Sequence, residues 1–308
     1  MFYRNTINHK LIICVVAVSL LVTGYTVPAG ASDILDIVNN AATMGRAGAG
    51  ASGGDRSYLV NPAIISWESF KYYTEATNWQ TEWGVKNNML SFNRKADNAV
   101  VGVDVAYVAY GQQEKTNTVG NVVGTVNSND MVFGVRYSNK FLPILSAGVC
   151  LKYLSRNLDT YHGSGIAVDI GLKAMPADPI ELGIVWNNMP LRKVTLNNHD
   201  DHFPTRIILG SRWRFWREGG MSLYFINDIS YSFFQKYNQN YVSALEWEFK
   251  NTITMRAGRS DKDKDGFKGG VGFTYREIYM DYALSNGEAG LKHILSISTR
   301  FGKSLNEE

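Results

Sequence analysis

Apolar side chains alternate with small or polar ones along most of this chain, from about residue 70 to residue 301. The stretch Val101, Gly102, Val103, Asp104 and Val105 is typical. Successive side chains of a β-strand point to opposite faces, so a period of two with one apolar face predicts a strand. No amphipathic helical pattern interrupts the series. We therefore predict an all-β fold.

The alternating segments number fourteen. An even number of strands, each near the ~9–11 residues of a tilted span, suits a single antiparallel transmembrane β-barrel. The predicted strands cover residues 70–79, 86–94, 99–111, 130–138, 145–156, 165–174, 180–187, 205–216, 221–232, 241–249, 253–260, 269–275, 278–284 and 293–301.

The loop between the tenth and eleventh predicted strands decides which side chains face each other there. A two-residue loop would set Glu246 against Met255 and mix the two faces. A three-residue loop, Lys250 to Thr252, sets Glu246 against Arg256 on the polar face. Because a slip of one residue moves every side chain of a strand to the other face, we predict the three-residue loop. Glu246 and Arg256 should then form a structural ion pair in the lumen.

Charged side chains on the polar face would also suit a soluble β-sandwich, so the aromatic side chains favour the membrane barrel. Tyr, Trp and Phe gather near strand ends, as the interfacial girdles of an outer-membrane barrel require, and the last strand ends at Phe301. The inner-face set is Asp104, Arg136, Asp169, Lys173, Glu181, Arg212, Arg214, Asp228, Glu246, Arg256, Asp281 and Arg300. The girdle set is Tyr72, Tyr73, Trp79, Trp83, Tyr107, Tyr110, Trp186, Trp213, Trp216, Tyr275 and Tyr282.

The first 31 residues have the parts of a secretory signal. Arg4 and Lys10 supply positive charge, Leu11 to Val22 is apolar, and Ala29-Gly30-Ala31 offers small side chains before the cleavage point. A permanent membrane helix is the alternative, although the apolar stretch is shorter than the ~20 residues of a span. We predict a signal peptide over residues 1–31, a hatch segment over 32–66, an outer-membrane barrel over 67–303 and a tail over 304–308.

The net charge bears on the binding partners of the chain, and the cysteine content bears on its disulfides. The chain carries a formal charge of +3, which falls to +1 without Arg4 and Lys10. This balance does not suggest nucleic acid as a partner. Cleavage would also remove Cys14 and leave Cys150 alone, so no internal disulfide can form. The partner expected for such a barrel is outer-membrane lipid.

Small residues and a short Asn-Pro-Ala motif precede the first predicted strand. They read Met44-Gly45-Arg46-Ala47-Gly48-Ala49-Gly50-Ala51, then Asp55, Tyr58 and Asn61-Pro62-Ala63. In this order they resemble the start of the PorV/PorQ group of outer-membrane proteins, relatives of the FadL-type barrels. Short motifs later in the chain extend the resemblance over nearly all of the mature sequence. Ile64 departs from the pattern, since the family usually has glycine there.

The resemblance implies a fourteen-stranded barrel whose N-terminal segment folds inward as a hatch. FadL-type members pass hydrophobic solutes such as fatty acids by diffusion, which would make a hydrophobic molecule the ligand. PorV-type members bind cargo for the type IX secretion system, which would make secretion proteins the partners. Both interpretations stay open, as does a plain turn at residues 61–63. The hatch residues implied are Met44, Gly45, Gly48, Asp55, Asn61, Pro62 and Ala63.

Metal and catalytic motifs are weak. Asp261, Asp263 and Asp265 begin like a calcium loop, but Gly272 stands where the bidentate glutamate belongs. The four residues from His199 to His202 could supply metal ligands, but ligands that follow one another directly in the chain rarely complete a tetrahedral site. Cys150 has no histidine at motif spacing. We therefore expect that the protein binds no cofactor and is not an enzyme.

Overall fold

The computed structural model describes Leu35 and residues 39–302, except 55, 82–83, 197–198, 234–238, 262–266 and 288–289. The predicted signal peptide over 1–31 and the predicted tail over 304–308 lie outside the described residues. The same holds for Asp55, Trp83, Asp263 and Asp265.

Fourteen strands close into one antiparallel barrel in the described part of the chain, so the predicted fold class is confirmed. Each barrel strand pairs with the barrel strands before and after it in the chain, and the first closes the barrel against the last. The barrel strands are β1 (Tyr72–Thr81), β2 (Lys86–Ala96), β3 (Ala99–Thr116), β4 (Val122–Leu142), β5 (Leu145–Leu158), β6 (Tyr161–Ala177), β7 (Ile180–Arg192), β10 (Arg206–Glu218), β11 (Met221–Ser232), β12 (Gln239–Phe249), β13 (Ile253–Ser260), β14 (Phe267–Tyr275), β15 (Ile278–Gly287) and β16 (Gly290–Phe301).

The two ends of the barrel differ. At one end, which we call the turn end, every barrel hairpin closes through two or three residues. The opposite end, the loop end, carries most of the longer connections. The β12–β13 turn shows why the register is well defined. Phe249 pairs with Ile253, which confirms the predicted three-residue loop, and Lys250 and Asn251 take positive φ angles of 46° and 52°.

Two features of the loop end were not predicted. β3 and β4 continue as a projecting hairpin that pairs only with itself, from Gln112 opposite Asn127 to Thr116 opposite Val122. Water reaches both faces of this hairpin, so its sequence lacks one consistently apolar face. A second hairpin, β8 (Val194–Leu196) with β9 (His199–Asp201), interrupts the connection between β7 and β10 and stays outside the barrel sheet.

The apolar face of the strands points outward. On β4, Met131, Phe133 and Val135 are each more than 40% exposed, while Val132 and Arg136 between and beside them are buried. Exposed apolar area of this extent fits an apolar surrounding rather than water. The outer surface is that of a transmembrane barrel.

Three aromatic residues assigned to the girdles point inward instead. Tyr73 and Trp79 are each only 2% exposed, and the Tyr110 hydroxyl donates to Asp130 at 3.0 Å. On β1 the outward positions are taken by small or polar residues such as Ala76. An alternation without strong apolar contrast does not tell the two faces apart, and this explains the error.

A short helix, α1 (Ala41–Gly45), lies before the barrel strands. The helix begins where it does because Asn40 caps it, its side-chain Oδ1 accepting the Thr43 N–H at 3.0 Å. No helix in the described residues is both long and apolar enough to cross a membrane.

Candidate functional site: the barrel lumen

The chain before β1 follows the inner wall of the barrel; we call residues 39–54 and 56–71 the luminal segment. It begins beside β16, where the Ala41 N–H donates to Ser296 Oγ at 2.9 Å. It then reaches β11, where the N–H groups of Gly50 and Ala51 both donate to one carboxylate oxygen of Asp228, at 2.8 and 2.9 Å. The segment therefore binds the wall through its backbone.

The Asn-Pro-Ala motif ties the segment to itself and to the next strands. Asn61 Nδ2 donates to the carbonyl oxygens of Ala51 at 2.6 Å and of Leu172, in β6, at 3.0 Å. Its Oδ1 accepts the Ala63 N–H at 3.0 Å, and the Ala63 carbonyl accepts the hydroxyl of Ser146, in β5, at 2.9 Å. The motif therefore connects two parts of the luminal segment with β5 and β6, whereas a plain turn would bond only within itself.

Glycines on the inner face of the wall leave room for the segment. A Cβ added at Gly258 would lie 2.5 Å from the Arg46 carbonyl carbon, and one added at Gly183 would overlap the Ala51 carbonyl. Side chains at these positions would push the segment off the wall. The wall glycines in contact with the segment are Gly148, Gly171, Gly183, Gly210, Gly258 and Gly270.

The remaining predicted hatch residues lie at the start of this path. Gly45 packs against Gly270, and a Cβ on either would come within 3.1 Å of the other's Cα. Gly48 has a φ of 93° with open space around it, so its backbone conformation is what favours glycine. Met44 packs on a buried cluster that includes Trp79.

Glu246 is the centre of a buried charge cluster. Its carboxylate accepts Arg256 Nε at 2.8 Å and Arg46 Nη1 at 2.7 Å, and Arg212 Nη2 lies 3.0 Å away. Arg212 also reaches Glu181 at 2.5 Å. Sequence reasoning paired Glu246 with Arg256 but missed Arg46 and Arg212. The available signal was Arg46 itself, a long cation within a stretch of glycine and alanine.

The charge cluster continues along the same wall, from β13 to β15, through Asp281. This carboxylate accepts Arg256 Nη1 at 2.7 Å and lies 2.7 Å from Arg56 Nη1. The Arg56 guanidinium also covers the Tyr279 ring, 5.1 Å from its centroid. Two arginines of the luminal segment thus share carboxylates with the barrel, and removing one partner of a buried pair leaves the other uncompensated.

Another buried carboxylate, Glu75, fixes the middle of the segment. It accepts the hydroxyls of Tyr58 at 2.5 Å and Tyr73 at 2.7 Å, and Asn40 Nδ2 lies 3.4 Å away. Burial, followed by the neighbouring Glu75 carboxylate, raises the pKa of Tyr58 well above its ordinary value. The phenol therefore stays protonated and serves as a donor.

Part of the loop-end half of the lumen, on the side of β2 to β6, is apolar. Its buried side chains form what we call the outer apolar cluster, which joins the inner faces of β2 to β6 to the connection between β7 and β10 and to Leu35. The cluster provides an apolar environment inside the barrel. Its members are Leu35, Met89, Ala106, Val108, Val132, Leu154, Ala167, Val194 and Phe203.

The β8–β9 hairpin covers this cluster. Val194 and Phe203 turn inward against β6, where a Cβ at Gly165 would lie 2.7 and 2.6 Å from their side chains. Arg156 fastens the hairpin, since it lies 2.9 Å from Asp201 and 3.1 Å from the wall residue Asp130.

A small cavity lies between the outer apolar cluster and Tyr58; we call it the central cavity. Two ion pairs line it, Arg136 with Asp104 and Lys152 with Asp169, the latter 2.6 Å apart. Buried atoms of the first pair, Asp104 Oδ1 and Arg136 Nε, have no hydrogen-bond partner among the described residues. The cavity is therefore apolar on its loop-end side and charged on the other.

The metal-ligating residue types and the cysteine can be located in the described residues. Within the ranges that the structure describes, no group of three or more His, Cys, Asp or Glu side chains is placed to hold a metal ion. Cys150 is buried on the inner wall, and burial of this kind favours an inert thiol.

A closed barrel of fourteen antiparallel strands with a chain segment packed in its lumen defines the class of this protein. No protein-family model matches the sequence, and no curated protein does. Solved structures do. The Pseudomonas putida toluene transporter TodX is 12% identical with a TM-score of 0.60, over 85% of this chain and 98% of that one. The monoaromatic hydrocarbon channel CymD is 13% identical with a TM-score of 0.60, over 85% of this chain and 97% of that one. A Pseudomonas aeruginosa FadL homologue is 13% identical with a TM-score of 0.55, over 91% of this chain and 100% of that one. The fold of this chain is the FadL-like fold.

Proposed function

We propose that this chain is an outer-membrane channel for the passive passage of hydrophobic small molecules, with the luminal segment as its hatch. The outer apolar cluster carries the proposal, because it is a buried apolar site inside the lumen that adjoins both the β8–β9 hairpin and the central cavity. The fold shared with TodX and CymD, which are named for toluene and monoaromatic hydrocarbons, supports it.

The turns give the orientation. Outer-membrane barrels have short periplasmic turns and longer external loops, so the turn end faces the periplasm. Residues 1–31 would then be the removed export signal. A solute would pass the β8–β9 hairpin, the outer apolar cluster, the central cavity and finally the luminal segment.

Apolar burial is sufficient to draw a solute in. It contributes about 25 cal/mol per Å² of apolar surface, and no energy source is needed for diffusion down a gradient. The segment has to shift for passage, because its backbone is bonded to Asp228 and its arginines to Glu246 and Asp281. These contacts would set the free-energy barrier to passage of a solute.

Uptake by cells tests the proposal. The full chain is expressed in a Gram-negative host that lacks its own hydrophobic-solute channels, and uptake of radiolabelled toluene and radiolabelled oleate is measured. The chain should raise uptake of at least one solute above the empty vector. Arg46→Ala, which loosens the segment, should raise it further, and a variant lacking residues 32–66 should do the same if it folds.

Lys115→Ala is the matched control, since Lys115 lies on the projecting hairpin, pairs with Asp159 of the β5–β6 turn and is half exposed. It should leave uptake unchanged. Absence of uptake of both solutes, by a chain that is folded in the outer membrane, would refute the channel.

That result would favour the alternative role, an accessory or cargo-docking barrel of a type IX-like secretion system. The filled lumen and the PorV/PorQ-like motifs support this alternative. Its own test is loss of secreted cargo when the chain is deleted in its native host.

A further inference from the structure

A second depression lies at the turn end, where the luminal segment leaves the lumen and becomes β1. We call it the turn-end pocket. Its lining comprises residues 66–71 of the segment, Lys95 of β2, the turn at Asp97 and Asn98, and Lys140 of β4. Lys95 and Lys140 occupy inward positions of their strands, since each alternates with exposed neighbours such as Arg94 and Phe141. The pocket therefore faces the lumen mouth rather than lipid.

The pocket has an excess of positive charge. The ammonium groups of Lys71, Lys95 and Lys140 line it, and none has a carboxylate within 4 Å among the described residues. The Glu68 carboxylate is engaged by Arg300 Nη2 at 2.6 Å. Asp97 lies exposed in the turn. The lining therefore carries more cationic than carboxylate side chains, and an anion entering the pocket would meet this excess.

Two of the cations are held in place. Lys95 Nζ donates to the carbonyl oxygens of Ser66 at 2.8 Å and Glu68 at 2.5 Å. Lys140 Nζ lies 3.9 Å from the centroid of the Trp67 ring, and Trp67 is itself fixed by its Nε1 donating to Ser146 Oγ at 2.6 Å. Side chains already ordered lose less entropy when they bind a ligand.

Aromatic rings lie beside these cations. Phe70 is buried, with Lys95 Nζ 6.0 Å from its centroid, and Trp67 lies under Lys140. Cations next to apolar rings suit a molecule that joins an anionic group to an apolar chain.

We propose that the turn-end pocket binds the anionic headgroup of an amphipathic solute, a carboxylate or a phosphate attached to an apolar chain. The proposal rests on the proposed channel for the route by which that solute arrives. It adds a binding site at the turn end, which would favour amphipathic anions over neutral hydrocarbons.

Calorimetric titration of the full chain in lipid nanodiscs tests this, with octanoate, octyl phosphate, octanol and inorganic phosphate as probes. One or both of the octyl anions should bind, octanol should bind more weakly, and binding should weaken as salt is raised. A double variant Lys71→Gln/Lys140→Gln, which keeps the Lys95 bonds to the segment, should bind the octyl anions at least about tenfold more weakly, the loss expected for charge-assisted hydrogen bonds. Lys71→Arg/Lys140→Arg should restore binding.

Lys115→Gln is the control and should bind like the parent chain. A folded barrel migrates differently on gels before and after heating. If the glutamine variant keeps this difference in mobility, it is folded. Equal binding of octanol and octanoate, or unchanged affinity for the octyl anions in the folded glutamine variant, would overturn the proposal. So would tight binding of inorganic phosphate alone with no gain from the octyl chain, since it would mark a site for free anions.

The two proposals fail separately. Lysine-dependent binding of octyl anions without uptake of any solute leaves the turn-end pocket standing and refutes the channel. Uptake of toluene without lysine-dependent binding refutes only the pocket.

Discussion

Arg46 of the luminal segment and Glu246 of β12 meet at 2.7 Å, and neither side chain is exposed to solvent. The two residues are 200 positions apart in the chain. Their contact joins the segment to the wall at the point where Arg212 and Arg256 also converge.

Arg46→Ala should therefore destabilise the protein by about 3–5 kcal/mol, the usual cost of leaving one member of a buried pair uncompensated. The substitution also removes the bond from Arg46 to Ser57 Oγ, which is 2.6 Å long. Urea unfolding in micelles, followed by tryptophan fluorescence, measures the change. Lys115→Ala should show no measurable change, and a similar loss in both variants would contradict the argument.

Gly258→Ala should displace the luminal segment while the barrel remains. The added Cβ would lie 2.5 Å from the Arg46 carbonyl carbon, which is backbone and has little freedom to move. Limited proteolysis should then cut within residues 46–54, where the parent chain resists. Gly124→Ala is the matched control, because no atom lies within 4 Å of its Cβ position. Equal protease resistance of parent and variant would show that the segment is held in another way.

Asn61→Asp should cost about 1–3 kcal/mol although the side chains have nearly the same shape, because buried acceptors lose their donor. The new oxygen would face the carbonyl oxygens of Ala51 and Leu172, which Asn61 Nδ2 now contacts at 2.6 and 3.0 Å. The same unfolding measurement applies. Asn98→Asp, in an exposed turn, should be neutral, and if Asn61→Asp is neutral too, the motif is only a turn.

Phe203→Ala should open a cavity in the outer apolar cluster and cost about 3–5 kcal/mol. An empty apolar cavity of this kind binds small aromatic molecules, so added toluene should restore part of the loss by mass action. Thermal unfolding with and without toluene measures both effects. Phe215→Ala, on the outer face and 52% exposed, should gain nothing from toluene. Equal rescue of both variants would assign the effect to the surrounding micelle.

The barrel was predictable because most strands separate two unlike surroundings. On β13, for example, Met255 faces outward and Arg256 faces the lumen, and this contrast fixes strand, face and register together. The three-residue β12–β13 loop followed from the same contrast. Where the contrast is absent, as around Ala76 on β1, the facing of Tyr73 and Trp79 was predicted wrongly.

The lumen was predicted less completely. The resemblance implied an inward segment, but the partners of Arg46 are set by distant pairing that no local pattern encodes. The β8–β9 hairpin escaped notice because strands of three residues are too short to show a period. The wall glycines were visible in the sequence as small residues of the polar face, yet only the position of the segment shows what they accommodate.

The course of the luminal segment constrains the order of assembly. Its contacts fall on Ser296, Asp228 and Leu172, strands spread over more than a hundred residues of chain. Contacts between distant parts of a chain form late, because the intervening loops must close first. The segment is synthesised first but can settle only after the wall it lies on is built, so its insertion reports that the seam between β1 and β16 has closed.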